Sequence, residues 1–366
     1  MASFYGRRHW SGVLGSVWRR FAVLVLIAAV VVLACVGVGV YALVHGFGPS
    51  VGAWTRLPGT STLPLEESYL ATYDSQVGKQ IRIFGEIVPD AAGSIWAFDP
   101  ATGTSAQLPV SGSVPTSGEV GLVYDETSGT VIRIGVDATD VDTWSFDLST
   151  NTWTELHPTW HPAMPQFSRG VLFGSAAVAY DPGSGTVILL GHTGVNSNTW
   201  AYDSRANTWT ELLTNGSPPA RIQAVFAYDK SIGQLLLFGG FGHFEKADGG
   251  LLNDTWAFDS ASNTWSELRP MKPPAARAEA AMAYDDASSK LILFGGDAGN
   301  ATLLSDTWAY DGRANTWTRL RTAGAPSPRG RISMFYDPAS RRLIVTGGKG
   351  KDEAVPTLSD SWAFAY

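Results

Sequence analysis

Three arginines share one register: Arg221, Arg277 and Arg329 each stand seven residues before the tyrosine of a Tyr-Asp pair, at Tyr228-Asp229, Tyr284-Asp285 and Tyr336-Asp337. A guanidinium is a planar fork of N–H donors, so three of them converging would grip a carboxylate through charge-assisted, bidentate hydrogen bonds. The same groups could instead bond backbone carbonyls of a neighbouring structural unit. Trp160, His243 and Phe244 occupy long irregular stretches and are candidates to reach over such a ligand. Metal chemistry is less well served. His157 and His161 lie close in sequence, but Pro158 and Pro162 prevent the helix that would align them, and suitably spaced carboxylates are absent nearby. Asp137, Asp140 and Asp142 lack the spacing of a calcium loop, and Asp142 belongs to a repeated Asp-Thr-Trp element. Hydrolysis needs paired carboxylates or a nucleophile with an oriented base, and no set of residues is singled out for that work. The expectation is a binding site with no catalytic residue, metal or cofactor.

The elements that must position these residues are repeats. LLNDTWAFDSASNTWSEL at 251–268 has two tryptophans nine positions apart, and the same spacing returns at Trp144/Trp153, Trp200/Trp209 and Trp308/Trp317. Six Tyr-Asp pairs, beginning at Tyr73-Asp74, Tyr124-Asp125 and Tyr180-Asp181, recur with a period of 48 to 56 residues. Each is followed by a turn such as DPGSGT, where aspartate can bond its own downstream backbone and glycine can take positive φ. Short apolar runs come next, among them VILLG, LLLFGG and LILFGG, too short for helices and bounded by glycine. Two tryptophan-bearing segments complete each repeat, giving four strands and an antiparallel blade. Core packing is the expected role of these tryptophans.

The Gly-Gly pairs at 239–240, 295–296 and 347–348, the Tyr-Asp elements and the paired tryptophans resemble the kelch family of β-propellers. The resemblance covers residues 51–366. Gly85-Glu86, Gly135-Val136 and Gly191-His192 replace the glycine pair in the first three repeats, and Ser105 stands where a second tryptophan belongs. The resemblance implies an all-β, six-bladed propeller, with the three arginines at the top of the innermost strands around a central channel. Some members hold acidic peptides with arginines there. The family also includes a copper oxidase of galactose whose cofactor needs a cysteine crosslinked to tyrosine. The one cysteine here, Cys35, lies in an apolar run, which disfavours that activity.

The sixth repeat ends at Trp362-Ala-Phe-Ala-Tyr366 without a fourth strand, while Trp54-Thr-Arg-Leu57 matches Trp317-Thr-Arg-Leu320 residue for residue ahead of the first repeat. An N-terminal strand is therefore expected to close the last blade and remove its open edge. Loops between second and third strands and between blades vary in length and composition, so that face is where specificity is expected.

Outside the repeats, residues 21–44 are apolar and uncharged, long enough for a transmembrane helix. Arg7, Arg8, Arg19 and Arg20 precede it, and no Lys or Arg follows before Arg56, so the positive-inside rule puts the N-terminus in the cytoplasm. The expected organisation is a basic cytoplasmic segment at 1–20, a signal anchor at 21–44, a linker at 45–50 and a propeller outside the cytoplasm at 51–366. Of the 26 basic residues 22 follow the anchor, as do all 33 acidic ones, giving 22 − 33 = −11 for the rest of the chain and arguing against nucleic acid. The reading is a membrane-anchored module for a protein, peptide or glycan ligand. The alternative is a non-copper carbohydrate-active propeller enzyme.

Overall fold

Apolar runs of five or six residues that are buried on both faces must lie between layers, and this is where the second strand of each repeat sits. In the computed structural model, Lys290–Phe294 and Gln234–Phe238 are buried along all but their first residue. The described residues are 52–59, 69–84, 94–115, 118–136, 141–162, 176–192, 197–242, 250–351 and 358–366. The chain divides into Met1–Ser50 and Val51–Tyr366, and the described residues belong to the second unit. No helix among them is long and apolar enough to cross a membrane. The expected anchor at 21–44, with its flanks at 1–20 and 45–50, lies outside the described residues.

Among the described residues, six sheets have four or more strands. Sheets 1 to 5 span residues 69–107, 118–156, 177–212, 225–268 and 281–320, each running from its first strand to its fourth without a crossover. Sheet 6 combines Ser333–Asp337, Arg342–Thr346 and Ser361–Ala365 with Gly52–Arg56 from the other end of the unit. That N-terminal strand pairs antiparallel with the C-terminal one, Trp54 opposite Phe364 and Arg56 opposite Trp362, as the sequence match led us to expect. First strands contact their neighbours in cyclic order, and Tyr69–Asp74 of sheet 1 meets Ser333–Asp337 of sheet 6.

Local chemistry explains the turns. The buried carboxylate of each Tyr-Asp pair accepts backbone N–H groups two or three residues on, as Asp74 does from Gln76 and Val77 and Asp337 from Ala339 and Ser340. The second tryptophan of a repeat faces an aromatic ring across its hairpin at 4.9 to 5.1 Å in sheets 2 to 6. Its indole N–H then reaches the preceding sheet: Trp209 donates to Thr143, Trp265 to Thr199, Trp317 to Thr255 and Trp54 to Thr307. The last of these confirms that Trp54 does the work of a fourth-strand tryptophan. Outer edges are covered as well, because the connectors pair in parallel with the fourth strand of the next sheet through Ser111, Asn215, Met271 and Thr322.

Candidate functional site

The entry loop to each of sheets 4, 5 and 6 brings its arginine inward. Arg221 donates from Nη1 and Nη2 to the two carboxylate oxygens of Asp254, at 2.6 and 2.8 Å. Arg277 does the same to Asp306 at 2.7 and 3.1 Å, and Arg329 to Asp360 at 2.6 and 3.1 Å. Each Nε donates to a carbonyl two residues back, at Pro219, Ala275 and Ser327, and each Nη1 also reaches the first glycine carbonyl of the Gly-Gly pair. These acceptors all belong to the arginine's own repeat. The guanidinium side chains are 1%, 1% and 0% exposed.

Of the two expectations for Arg221, Arg277 and Arg329, a ligand clamp or bonds within the scaffold, these contacts are of the second kind, made within each repeat and not to a neighbouring one. Arg221 and Arg277 each have four of five N–H groups engaged and Arg329 all five. The partner aspartates also accept the indole N–H of the tryptophan two residues on, Trp256, Trp308 and Trp362, at 2.7 Å. Burial would raise these carboxyls. The guanidinium bonds and charge outweigh it and, with the indole, hold all three below the ordinary carboxylate value.

The arginine backbone does cross between sheets. Arg277 O accepts from Gly240 N–H at 2.8 Å, and Arg329 O from Gly296 N–H at 2.9 Å. A Cβ on Gly239 would lie 2.6 Å from Arg277 O, and Gly239 has φ 66°, so both the conformation and the close approach call for glycine.

Two residues beyond each arginine stands a side chain that sequence reasoning passed over. Gln223, Glu279 and Arg331 stand two residues before the first strands of sheets 4, 5 and 6, and all three hold left-handed backbone at φ 56°, 56° and 53°. Their backbones form a chain between sheets, Glu279 N–H donating to Gln223 O at 3.1 Å and Arg331 N–H to Glu279 O at 2.9 Å. Glu279 Oε1 accepts from both Gln223 Nε2 and Arg331 Nε, each at 2.9 Å. Arg331 stays 29% exposed, with its two Nη groups beyond that bond. Non-glycine residues in this region of φ cost of order 1 kcal/mol or more and cluster at functional sites. A signal was present in the sequence: Arg-Ile-Gln, Arg-Ala-Glu and Arg-Gly-Arg keep the first residue and vary the third.

Trp160 lies at the surface, 43% exposed, after the fourth strand of sheet 2. No described contact joins it to the three arginines. His243 and Phe244 lie outside the described residues. His157 is exposed, its Nε2 3.9 Å from Glu155, and among the described residues no group of three or more His, Cys, Asp or Glu is arranged to hold a metal.

Residues 174–366 match the family model described as the KLHDC2/KLHL20/DRC7 Kelch-repeats domain. Adagio-like protein 1 of Oryza sativa subsp. japonica is 29% identical over 177 residues, covering 45% of this chain and 26% of that protein. Acyl-CoA-binding domain-containing protein 5 of Arabidopsis thaliana is 33% identical over 162 residues, covering 43% and 23%. The match thus spans about a quarter of the length of these relatives. Among solved structures, that of YjhT superposes with a TM-score of 0.59 over 83% of this chain and 95% of its own, at 13% identity, a likeness of fold alone.

Proposed function

This chain belongs to the kelch-repeat family of β-propellers, and from that premise we propose that it is a membrane-anchored, six-bladed binding module that displays its ligand face outside the cytoplasm. Kelch-repeat domains serve as protein-binding modules, which favours a protein or peptide ligand. The apolar run at 21–44 and the arginines on one side of it support the anchor and its orientation. Six sheets whose first strands meet in cyclic order support the blade count.

The observation that carries the reading is the belt of Gln223, Glu279 and Arg331, where three polar side chains of different charge occupy one register on a shared, strained backbone. Arg331 is its cationic member and keeps both Nη groups for a carboxylate, so an acidic peptide segment is the ligand class it suits. Probing an array of acidic and neutral peptides with the full-length chain identifies a ligand. Replacing Arg331 by Ala should then weaken binding about tenfold or more, since a hydrogen bond to a charged group contributes roughly 1.5 to 3 kcal/mol. Unchanged affinity in Gln223→Ala, Glu279→Ala and Arg331→Ala alike would remove the belt as the site. Protease shaving of intact cells tests the topology: loss of the propeller from the cell surface is expected, and full protection contradicts it.

A further inference from the structure

The interface between sheets 6 and 1 departs from the pattern set by its neighbours. In sheet 1, Ser105 replaces the fourth-strand tryptophan, and the guanidinium of Arg82 lies 4.4 Å over the Phe98 ring that a tryptophan would otherwise face. Arg82 Nε donates to Gln80 Oε1 at 2.8 Å. Gln80 then crosses to sheet 6, its Nε2 donating to Ser333 Oγ at 2.7 Å and its Oε1 accepting from Thr346 Oγ1 at 3.0 Å. Gln80, Arg82 and Thr346 are buried.

The strand registers show how unusual three of these four residues are. The positions of Gln80 and Arg82 are held in sheet 5 by Leu291 and Leu293, in sheet 4 by Leu235 and Leu237, and in sheet 3 by Val187 and Leu189. Those of Ser333 and Thr346 are held in the same sheets by Ala281 and Phe294, Val225 and Phe238, and Ala177 and Leu190. Sheet 2 shares an arginine at the Arg82 position, Arg133, but Gln80, Ser333 and Thr346 are polar where sheets 2 to 5 carry apolar residues or glycine. These three, with Gln80 more than 250 positions from the other two in sequence, meet at one interface.

The closing strand cannot by itself choose its sheet. Trp54-Thr-Arg-Leu57 repeats Trp317-Thr-Arg-Leu320, the fourth strand of sheet 5, and the strand it covers, Ser-Trp-Ala-Phe-Ala, differs little from Thr-Trp-Ala-Tyr-Asp of sheet 5. Closure on sheet 5 would leave the sixth repeat outside the ring. It would also press Gln80 and Arg82 against Ala281 and Phe294, which offer no side-chain hydrogen-bond partner, and a buried polar group without one is costly. We infer that Gln80, Arg82, Ser333 and Thr346 form a matched polar key by which sheet 1 recognises sheet 6, so that the ring closes on all six sheets and not on five.

The test refolds the full-length chain from urea and analyses the products by size exclusion and brief trypsin digestion. The natural chain should give one species. The variant Gln80→Leu/Arg82→Leu/Ser333→Ala/Thr346→Phe, which restores the apolar template, should give a second species in which the closing strand displaces Thr316–Leu320 and the residues after Arg313 are cut away. A single species in the natural proportions would overturn the inference. If that variant does not fold, the milder cycle of Gln80→Leu, Ser333→Ala and their combination decides. Each single change should lower the melting temperature by about 2 °C or more, and the pair no further than the worse single. Additive losses would show that the two halves do not recognise each other.

Discussion

In sheets 4 to 6 an arginine from the entry loop grips an aspartate that stands immediately before the third strand, and a tryptophan N–H donates to the same carboxylate. In sheet 1 the connector at 57–68 carries no arginine, and the cation comes instead from the second strand as Arg82, facing an aromatic ring and a glutamine. Sheet 2 stands between them, with Arg133 on the second strand 3.5 Å from Asp142. A buried cation next to the third strand thus recurs although its origin shifts. The repeats preserve a packing problem more strictly than they preserve its solution. Where the entry-loop solution is used, the arginine is spent on the scaffold and the residue two places later is released for other work.

The largest effect is expected at the closing strand, which both ends of the comparison depend on. Trp54 is buried, packs at 4.9 Å against Phe294 and Phe364, and bonds Thr307. Trp54→Ala should cost about 3 to 5 kcal/mol, and a chain beginning at residue 60 should lose more by exposing the edge of sheet 6. Equal melting temperatures for chains beginning at 50 and 60 would contradict the closure.

Next in size is Arg277→Ala, which leaves the Asp306 carboxylate without its cation in a largely buried site. Breaking such a pair from one side typically costs about 3 to 5 kcal/mol. Arg82→Leu should cost less, roughly 1 to 2 kcal/mol, because its described hydrogen bonds go to the neutral side chains of Gln80 and Ser105 and the leucine keeps apolar volume against Phe98. Urea denaturation of the two variants compares them directly, and a larger loss for Arg82→Leu would reverse the contrast drawn between sheets 1 and 5.

Acid should weaken sheets 4 to 6 before neutral networks such as Gln80 with Thr346. The carboxyls of Asp254, Asp306 and Asp360 are lowered in the folded protein, so their stabilisation is fully present above the ordinary value of 3.8 and is lost as pH falls through the folded values. Hydrogen exchange followed from pH 5 to pH 2.5, corrected for intrinsic rates, should show protection lost first around the three arginine loops. Uniform loss around the ring would contradict this.

How much of this was legible in the sequence depended on how far apart the cooperating residues lie. Tyr-Asp turns, tryptophan pairs and the closing strand are periodic or repeated word for word, and periodicity survives without knowledge of contacts. The fate of Arg221 depends on Asp254, 33 residues away, and nothing local distinguishes a guanidinium facing a channel from one folded back on its own sheet. Gln223, Glu279 and Arg331 were hard to see for the opposite reason: the constant arginine two places earlier marks their register, but they share no residue type, and their common φ and shared bonds are what join them as a set. Ser105 was visible as a departure from the pattern. Its compensation by Arg82 requires the hairpin register and the ring beneath it.

The central claim, that one arginine in the loop before sheet 6 is wholly engaged by the scaffold and the one two residues later is engaged only in part, is tested most directly by the thermal melting of the full-length chain carrying Arg329→Ala or Arg331→Ala. Arg329→Ala should lower the midpoint by roughly 5 to 10 °C, and Arg331→Ala, which removes a 29% exposed guanidinium bonded to Glu279 through Nε alone, should lower it by about half as much or less. A silent Arg329→Ala, or a drop of the same size for both, would contradict the account.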